Sequence, residues 1–333
     1  MTPKDNFKYF LKSGRLEKPL VAPLIGYHTT WLYNQNPIQV SENGNLMAIL
    51  QLRALKFYGH DFVSHYLDLT ILPEALGVKV TWSTYPPSIE VPLKDAEEAS
   101  NVLSTADPQN LVETSKRLKA SIEAIKVLHE LVGDRYPIMA FIHGPFTLVA
   151  DLLSPVNTLR LVKRKPDQIK DLIQKATPFL KNLSDIYIEQ GADIVVVDEM
   201  ATPLISPRDF QVLLLESLNR LITLIKQKSN VILHICGMAN HLLGLMASTE
   251  ADILSVDKYI NIPEAIKTYS NKIFMGNIGA TEIYNWDITK IRLYVRELIA
   301  KTQGERLIVA TSCDVPVYTP PQNIKALIEA TKE

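Results

Sequence analysis

Residues Asn230–Cys236 read Asn-Val-Ile-Leu-His-Ile-Cys, an apolar run that ends in a histidine and a cysteine. The run lacks the strict alternation of a half-exposed strand, so Val231–Cys236 is predicted to be a strand buried on both faces of a parallel sheet. Seven similar runs are spaced along the chain: Val21–Gly26, Phe62–Asp68, Ile138–Gly144, Ile194–Glu199, Ile253–Asp257, Lys272–Ile278 and Leu307–Cys313. The sequence therefore predicts eight parallel strands.

Helical patterns lie between these runs. They cover Asn43–Tyr58, Asn110–Val132, Pro166–Gln190, Ser206–Lys228, His241–Ser248, Ile262–Tyr269, Asp287–Lys301 and Pro321–Lys332. Eight strands separated by helices predict a (β/α)8 TIM barrel of the α/β class, formed by residues 1–333 as a single domain.

Two segments exceed a minimal barrel. Residues 1–14 predict an N-terminal helical extension. Residues Leu69–Pro108 predict an insertion after the second strand, because a plain loop is rarely that long. Within the insertion, Val78–Trp82 and Ser88–Pro92 predict a small hairpin. An insertion at the carboxyl end of a barrel strand is expected to cover the mouth of the barrel.

The composition excludes several classes of protein. Hydrophobic residues make up 47% of the chain, and 35 Lys and Arg residues nearly balance 36 Asp and Glu residues. This charge balance predicts neither a nucleic-acid-binding face nor attraction to anionic membranes. The polar start Met1–Asn6 predicts no signal peptide, and no apolar run approaches a membrane span. With only two cysteines, the expected protein is a cytoplasmic enzyme with free thiols.

Polar residues stand at the carboxyl ends of nearly all the strand-like runs, where barrel enzymes place their chemistry. They are His28, Asp68, His143, Asp198, Glu199, His234, Cys236, Asp257, Asn277 and Cys313. Any one of them alone could be an ordinary helix cap or loop residue. Their recurrence at one strand end after another favours a functional site in the mouth of the barrel.

The strongest of these signals is a candidate metal site. His234 and Cys236 are two residues apart on a predicted strand, so their side chains point to the same face. Cys313, at the end of the last run, would complete a His-Cys-Cys set with one open position, the ligand pattern of a catalytic zinc. The alternative is that both cysteines are small buried hydrophobic residues and that His234 is a hydrogen-bonded core histidine. Both cysteines end strand-like runs and one lies two residues from a histidine, but zinc is favoured mainly because of the barrel fold and the family resemblance given below.

Several short motifs connect the chain to a known family. Asp68–Gly77 reads Asp-Leu-Thr-Ile-Leu-Pro-Glu-Ala-Leu-Gly, Gly144–Leu148 reads Gly-Pro-Phe-Thr-Leu, and Leu204–Pro207 reads Leu-Ile-Ser-Pro. In these motifs the chain resembles the uroporphyrinogen decarboxylase-like superfamily, and the likeness extends over nearly its whole length. The resemblance implies a barrel fold and places Asp68 where the decarboxylases carry an active-site aspartate.

Three further features narrow the resemblance. His234–Gly237 reads His-Ile-Cys-Gly, Gly276 is followed by Asn277, and Cys313 precedes the Thr-Pro-Pro-Gln-Asn segment 319–323. In these features the chain is most similar to the methylcobamide:coenzyme M methyltransferases. This implies zinc bound by the His-Cys-Cys set, methylcobalamin on a separate corrinoid protein as methyl donor, and a small thiol such as coenzyme M as acceptor. Attack of the zinc-bound thiolate on the methyl group would yield a thioether and Co(I).

The other strand-end residues receive roles around this centre. The expected catalytic residues are Asp68, Asp198 and Glu199, and either of the last two could fill the fourth zinc position when substrate is absent. The expected substrate-binding residues are His28, His143, Asp257 and Asn277. For the two histidines, structural hydrogen bonding is the alternative, and for Asp257 and Asn277 it is a helix cap or loop.

Two departures from the family pattern keep alternatives open. The region Gly26–Trp31 has no arginine, whereas true decarboxylases carry an arginine-rich segment there that holds propionate groups. The fourth strand ends in Asp198-Glu199, where the methyltransferases often show Asp-Pro. The alternatives are a decarboxylase-like lyase without metal, a barrel that only binds a corrinoid protein, and methyl transfer to homocysteine or tetrahydrofolate.

Overall fold

The computed structural model describes residues 1–333 and contains ten strands. They are β1 (Leu20–Val21), β2 (Val63–Ser64), β3 (Lys79–Thr81), β4 (Ser88–Val91), β5 (Ile138–His143), β6 (Ile194–Asp198), β7 (Asn230–Ile235), β8 (Ile253–Val256), β9 (Ile273–Ile278) and β10 (Leu307–Thr311). Eight of them form one sheet in the order β1-β10-β9-β8-β7-β6-β5-β2, with parallel pairing throughout. β3 and β4 form a separate antiparallel hairpin.

The two end strands of the sheet are joined through Asp61. Its backbone N–H donates to the carbonyl of Val21 at 2.9 Å, and its carboxylate accepts the N–H of Val21 at 2.8 Å. The sheet is thereby curled round on itself, and the predicted (β/α)8 barrel is confirmed.

Helices surround the sheet. They are α1 (Pro3–Ser13), α2 (His28–Leu32), α3 (Pro37–Ser41), α4 (Gly44–Tyr58), α5 (Ile71–Ala75), α6 (Ala96–Thr105), α7 (Pro108–Thr114), α8 (Lys116–Val132), α9 (Pro145–Leu153), α10 (Pro155–Arg164), α11 (Pro166–Glu189), α12 (Pro207–Asp209), α13 (Leu215–Lys226), α14 (Leu243–Ala247), α15 (Ile262–Thr268), α16 (Ala280–Asn285), α17 (Ile288–Thr302) and α18 (Pro321–Lys332). Short 3₁₀ turns cover Thr202–Leu204 and Asn240–Leu242, and Phe210–Leu214 is a π-turn. None of these helices is both long and apolar enough to cross a membrane.

The structure departs from the predicted elements in three places. The single helix expected over residues 110–132 is two helices that meet at Ser115, whose hydroxyl accepts the N–H of Leu118 and so starts α8. The helix expected over residues 206–228 is interrupted by the π-turn. The first two strands are only two residues long. At the end of β2, Phe141 N–H donates to the ring of His65 at 2.9 Å instead of to a strand carbonyl.

The inside of the barrel is a separate hydrophobic cluster. It includes Met139, Phe141, Ile194, Val196, Ile232, Ile253, Ile273, Met275, Ile308 and Ala310. Helix α1 closes the amino end of the barrel, because Phe7 and Phe10 belong to this cluster and the ring of Phe7 packs edge-on against Phe62 at 5.3 Å. The predicted N-terminal extension is therefore a plug, and any functional site must open at the other end.

The insertion after β2 lies at that other end. The hairpin residue Trp82 stands 6.3 Å from the ring of Tyr27, which follows β1, and its ring lies 4.9 Å from the guanidinium of Arg117. Farther along the insertion, Leu93 N–H donates to the carbonyl of Leu152 in α9. These contacts place the hairpin against the rim of the mouth.

Candidate metal centre

Four polar side chains form a row across neighbouring strands near their carboxyl ends. His143 of β5 pairs in register with Asp198 of β6, Asp198 with His234 of β7, and His234 with Ser255 of β8. Side chains of residues paired in register point to the same face of a sheet. Val196 and Ile232, two residues earlier on β6 and β7, belong to the interior cluster. The row therefore faces the inside of the barrel, just above the hydrophobic core.

His234, Cys236 and Cys313 come together at this level. Their potential ligand atoms all lie within 4.8 Å of one another. β7 and β10 are not neighbours in the sheet, so it is the curvature of the barrel that brings Cys313 to the other two residues. Zinc binds cysteine sulfur at about 2.3 Å and histidine nitrogen at about 2.0–2.1 Å, so a set of ligand atoms this close can converge on one ion.

The imidazole of His234 is oriented for a metal. Its Nδ1 lies 2.8 Å from the hydroxyl of Ser255, while its Nε2 is buried and has no hydrogen-bond partner. A polar group on the second ring nitrogen is the usual means by which a protein fixes a metal-binding histidine. A buried nitrogen without a partner is costly unless a ligand takes it. The donor set therefore fits zinc.

The charges of the triad are strongly coupled. The neighbouring Cys236 thiol, and then the His234 ring, hold the pKa of Cys313 well below its usual range. The proximity of Cys313 in turn raises the pKa of Cys236. Burial lowers the pKa of His234, but the carboxylate of Asp198 and the sulfur of Cys313 outweigh it and bring the value to about 9. Metal binding at this site must therefore displace protons.

Asp198 and Asp257 stand beside the triad. Asp198 accepts the N–H of Met200 through Oδ1 at 3.1 Å, and its other oxygen is buried without a partner. Burial raises the pKa of Asp198 to about 7. Asp257 accepts the N–H of Gly237 at 2.9 Å and so fixes the loop that follows Cys236.

Glu199 points away from the metal triad. One carboxylate oxygen accepts the N–H of Phe146 at 3.0 Å, and the other accepts the N–H and hydroxyl of Thr147 at 3.0 and 2.9 Å. Burial raises its pKa to about 8, although these three donors favour the charged form. A Cβ on Gly144 would lie 2.2 Å from the Glu199 carboxyl carbon, so only glycine fits there. Glu199 thus caps α9, which has no side-chain cap of its own.

Asp68 is held in a buried ion pair. Its Oδ2 accepts the hydroxyl of Tyr27 at 2.6 Å and a guanidinium N–H of Arg117, and its Oδ1 accepts the N–H and hydroxyl of Thr70. Arg117 also donates to Glu74 at 2.6 Å. The carboxylate is therefore fully engaged by the protein itself.

The remaining predicted residues have structural partners. His28 bonds the carbonyl of Val317 and the hydroxyl of Tyr58, and burial lowers its pKa to about 4. His143 Nε2 lies 2.9 Å from the carbonyl of Leu69 and 3.2 Å from the carboxylate of Asp151. Asn277 donates to the carbonyls of Asp257 and Ile260 and accepts the hydroxyl of Tyr294. His28 and Asn277 are therefore not free groups at the triad, whereas His143 lies in the interior row beside Asp198 with its Nε2 engaged.

Four residues around the site were missed in the sequence: Tyr27, Arg117, Ser255 and Asp314. Two had a signal, because Asp314 directly follows Cys313 and Ser255 precedes Asp257 by two residues on one strand face. Arg117 had none, since it lies in a helix 49 residues from Asp68.

Several known proteins share the sequence pattern and the fold of this chain. A model of the uroporphyrinogen decarboxylase (URO-D) family matches residues 2–333. A methylcobamide:CoM methyltransferase from Methanosarcina barkeri is 30% identical over 298 residues, covering 87% of this chain and 85% of that protein. A uroporphyrinogen decarboxylase from Prochlorococcus marinus is 25% identical over 306 residues, covering 88% of this chain and 85% of that protein. The structure of a methyltransferase from Methanosarcina mazei covers 100% of this chain and 98% of its own, with a TM-score of 0.88 at 26% identity.

Proposed function

The chain belongs to the uroporphyrinogen decarboxylase family, and on that premise we propose that it is a zinc-dependent methyltransferase that moves a methyl group from a methylated corrinoid to a thiol. The observation that carries the proposal is the convergence of His234, Cys236 and Cys313 within 4.8 Å, with a buried His234 Nε2 that has no partner. A methyltransferase acting on methylcobamide and CoM is among the similar proteins, which supports this branch of the family.

The chemistry follows from the donor set. Zinc bound at this triad would supply a Lewis acid with one open position, where the sulfur of the acceptor is held as a thiolate. Two thiolates and a neutral imidazole balance the charge of the ion, so an added thiolate keeps its electron density for attack on the methyl group. Ser255 holds the imidazole in place, and Asp257 fixes the loop after Cys236. The protein would thus hold the acceptor sulfur in position for attack, and the bound zinc would lower the pKa of the acceptor thiol.

A decarboxylase-like lyase is the second candidate, and the retained Asp68 favours it. Its weakness is the absence of a free cation for propionate groups. Gly26–Trp31 has no arginine, and the buried Arg117 is already taken by Asp68 and Glu74. Methyl transfer is therefore the better-supported function.

The proposal predicts that methyl transfer needs both zinc and a thiol. When the zinc-loaded protein is mixed with free methylcobalamin and a panel of thiols, the Co(I) spectrum should appear for at least one of them. Chelation should abolish this reaction yet leave the far-ultraviolet circular dichroism nearly unchanged, because an apolar core of 83 buried residues outside the barrel lumen does not depend on the metal. Bound zinc without any demethylation would favour a barrel that only binds a corrinoid protein, and global unfolding on chelation would make the metal structural.

A corrinoid protein is the proposed partner, and the rim of the mouth supports this. Large hydrophobic side chains are exposed in the segments that follow β1, β6, β7, β8 and β10: Trp31, Leu204, Met238, Tyr259 and Tyr318. Trp31 and Tyr318 pack edge-on at 6.0 Å and so form one patch. Exposed apolar groups gathered around a site mark a surface that meets another macromolecule.

This partner surface can be tested with a charge placed on the rim. The variant Tyr318→Asp should raise the KM for a methylated corrinoid protein by about tenfold, since a buried charge at an interface is unfavourable. Its rate with free methylcobalamin should stay within about twofold of the wild type, because no docking is involved. Tyr9→Asp is the matched control, as Tyr9 is similarly exposed on α1 at the opposite end of the barrel. Equal effects of the two variants would place the docking surface elsewhere.

A further inference from the structure

Three carboxylates adjoin the metal triad, and each has a buried oxygen that no group of the protein donates to. The atoms are Asp198 Oδ2, Asp257 Oδ1 and Asp314 Oδ1. Asp198 is 0% exposed and Asp257 is 8% exposed. Buried carboxylate oxygens normally accept hydrogen bonds, because leaving them without donors costs free energy. These atoms therefore point to a ligand that brings donors with it.

The strands aim two of these oxygens, those of Asp198 and Asp257, into the metal site. Asp198 pairs in register with His234 and shares its interior face. Asp257 is two residues beyond Ser255, which pairs in register with His234, and its second oxygen already holds Gly237 N–H. Asp314 follows Cys313 directly, but its carboxylate oxygens lie 2.9–3.0 Å from the position that a Cβ on Gly26 would take, on the β1 side of the mouth. Each carboxylate is thus tied to one of the proposed zinc ligands through the backbone.

The cationic groups of the neighbouring elements are already engaged. His234, beside Asp198 in the interior row, is a proposed metal ligand and would be neutral when the metal is bound, and His143 on its other side bonds the carbonyl of Leu69 and the carboxylate of Asp151. Arg117 is paired with Asp68 and Glu74. Lys258, next to Asp257, is paired with Glu282 at 2.7 Å. The lining of the site around the metal is therefore acidic, and its formal charge has the opposite sign to that of an ammonium group.

We propose that the methyl acceptor is an aminothiol, whose sulfur takes the open metal position while its ammonium group donates to Asp198 and Asp257. This inference rests on the proposed function. Two thiolate ligands neutralise the metal, and the acceptor thiolate adds a negative charge to a site that already contains carboxylates. An ammonium group on the acceptor offsets that charge, whereas a sulfonate or carboxylate tail at the same place is repelled.

The test compares thiols that differ only in the group at the far carbon: 2-aminoethanethiol, 2-mercaptoethanol and 2-mercaptoethanesulfonate. Binding to the protein loaded with Co²⁺ in place of zinc is followed by the sulfur-to-cobalt absorption band, so that no methyl transfer is required. The aminothiol should bind about tenfold or more tightly than the alcohol, as expected for charge-assisted hydrogen bonds. The sulfonate should bind most weakly.

The variants Asp198→Asn and Asp257→Asn keep the size of the side chain and remove its charge. Each should bring the ratio of amine to alcohol affinity towards one, an effect that mere damage to the metal site would not produce. Asp171→Asn is the control, because Asp171 pairs with Lys175 on the exposed side of α11, and its ratio should match the wild type. If Asp198→Asn does not fold, Asp257→Asn still tests the inference.

Several outcomes would overturn the inference. They are tightest binding of the sulfonate, equal affinity for all three thiols, binding of none, or two metal ions per chain with the second held by the carboxylates. The proposed function is judged separately by the Co(I) spectrum from methylcobalamin. Preferred aminothiol binding without Co(I) would sustain the inference and reject the function. Co(I) formation that is fastest with the sulfonate would reject the inference and sustain the proposed function.

Discussion

Replacing Cys236 or Cys313 by serine is expected to remove the bound zinc and to reduce methyl transfer to background. In the proposed site each sulfur is one of only three protein ligands, and the potential ligand atoms lie within 4.8 Å of one another. Changing a residue that merely supports a metal ligand already costs roughly 10–100-fold in affinity or activity, so the loss of a ligand should cost more. The measurement is the zinc content of each variant after dialysis, together with the rate of methylcobalamin demethylation.

Two histidine variants complete the experiment, one at the third proposed ligand and one at an exposed position that serves as the control. His234→Ala should lose zinc as the cysteine variants do, whereas His241→Ala should keep it, because His241 is exposed and bonds only the carbonyl of Ile205. All four variants should retain the wild-type circular dichroism, since the hydrophobic core does not include these side chains. Full zinc occupancy in both folded cysteine variants would contradict the metal assignment.

The metal triad could be predicted from the sequence because it depends on a local rule and a topological rule. His234 and Cys236 share a strand face through their two-residue spacing, and a barrel gathers all strand ends at one mouth. The same local rule separates Asp198 from Glu199. Adjacent residues on a strand point to opposite faces, so the interior position of Asp198 sends Glu199 outwards to the start of α9.

The partners of the other strand-end residues could not be predicted in this way. The carboxylate of Asp68 meets Arg117 from α8, and the ring of His28 meets Tyr58 from α4. Such contacts depend on how helices pack outside the barrel, and sequence spacing carries no information about them. Sequence therefore predicted the mouth and the convergence of the three proposed metal ligands, but not which polar groups the protein already uses for its own hydrogen bonds.

Replacing Arg117 by methionine is expected to lower the free energy of unfolding by about 3–5 kcal/mol, the usual cost of leaving one partner of a buried ion pair alone. The side chains of Arg117 and Asp68 are 4% and 0% exposed. Methionine preserves much of the apolar stem beneath Trp82 but removes the charge that offsets Asp68. The loss should fall in the lower half of that range, because Tyr27 and Thr70 still donate to the carboxylate. Urea unfolding of the zinc-loaded protein measures it.

Two further variants separate the buried pair from a general effect of losing a cation. Lys301→Met removes the cation of an ion pair with Glu297 in which both side chains are more than half exposed, and it should cost less than about 1 kcal/mol. The double variant Arg117→Met with Asp68→Asn should be more stable than Arg117→Met alone, because it leaves no uncompensated charge in the barrel wall. If Arg117→Met were no more costly than Lys301→Met, the pair of Arg117 and Asp68 would not stabilise the fold. The assignment of Asp68 to a structural ion pair would then be wrong, and the lyase function would again be as well supported as methyl transfer.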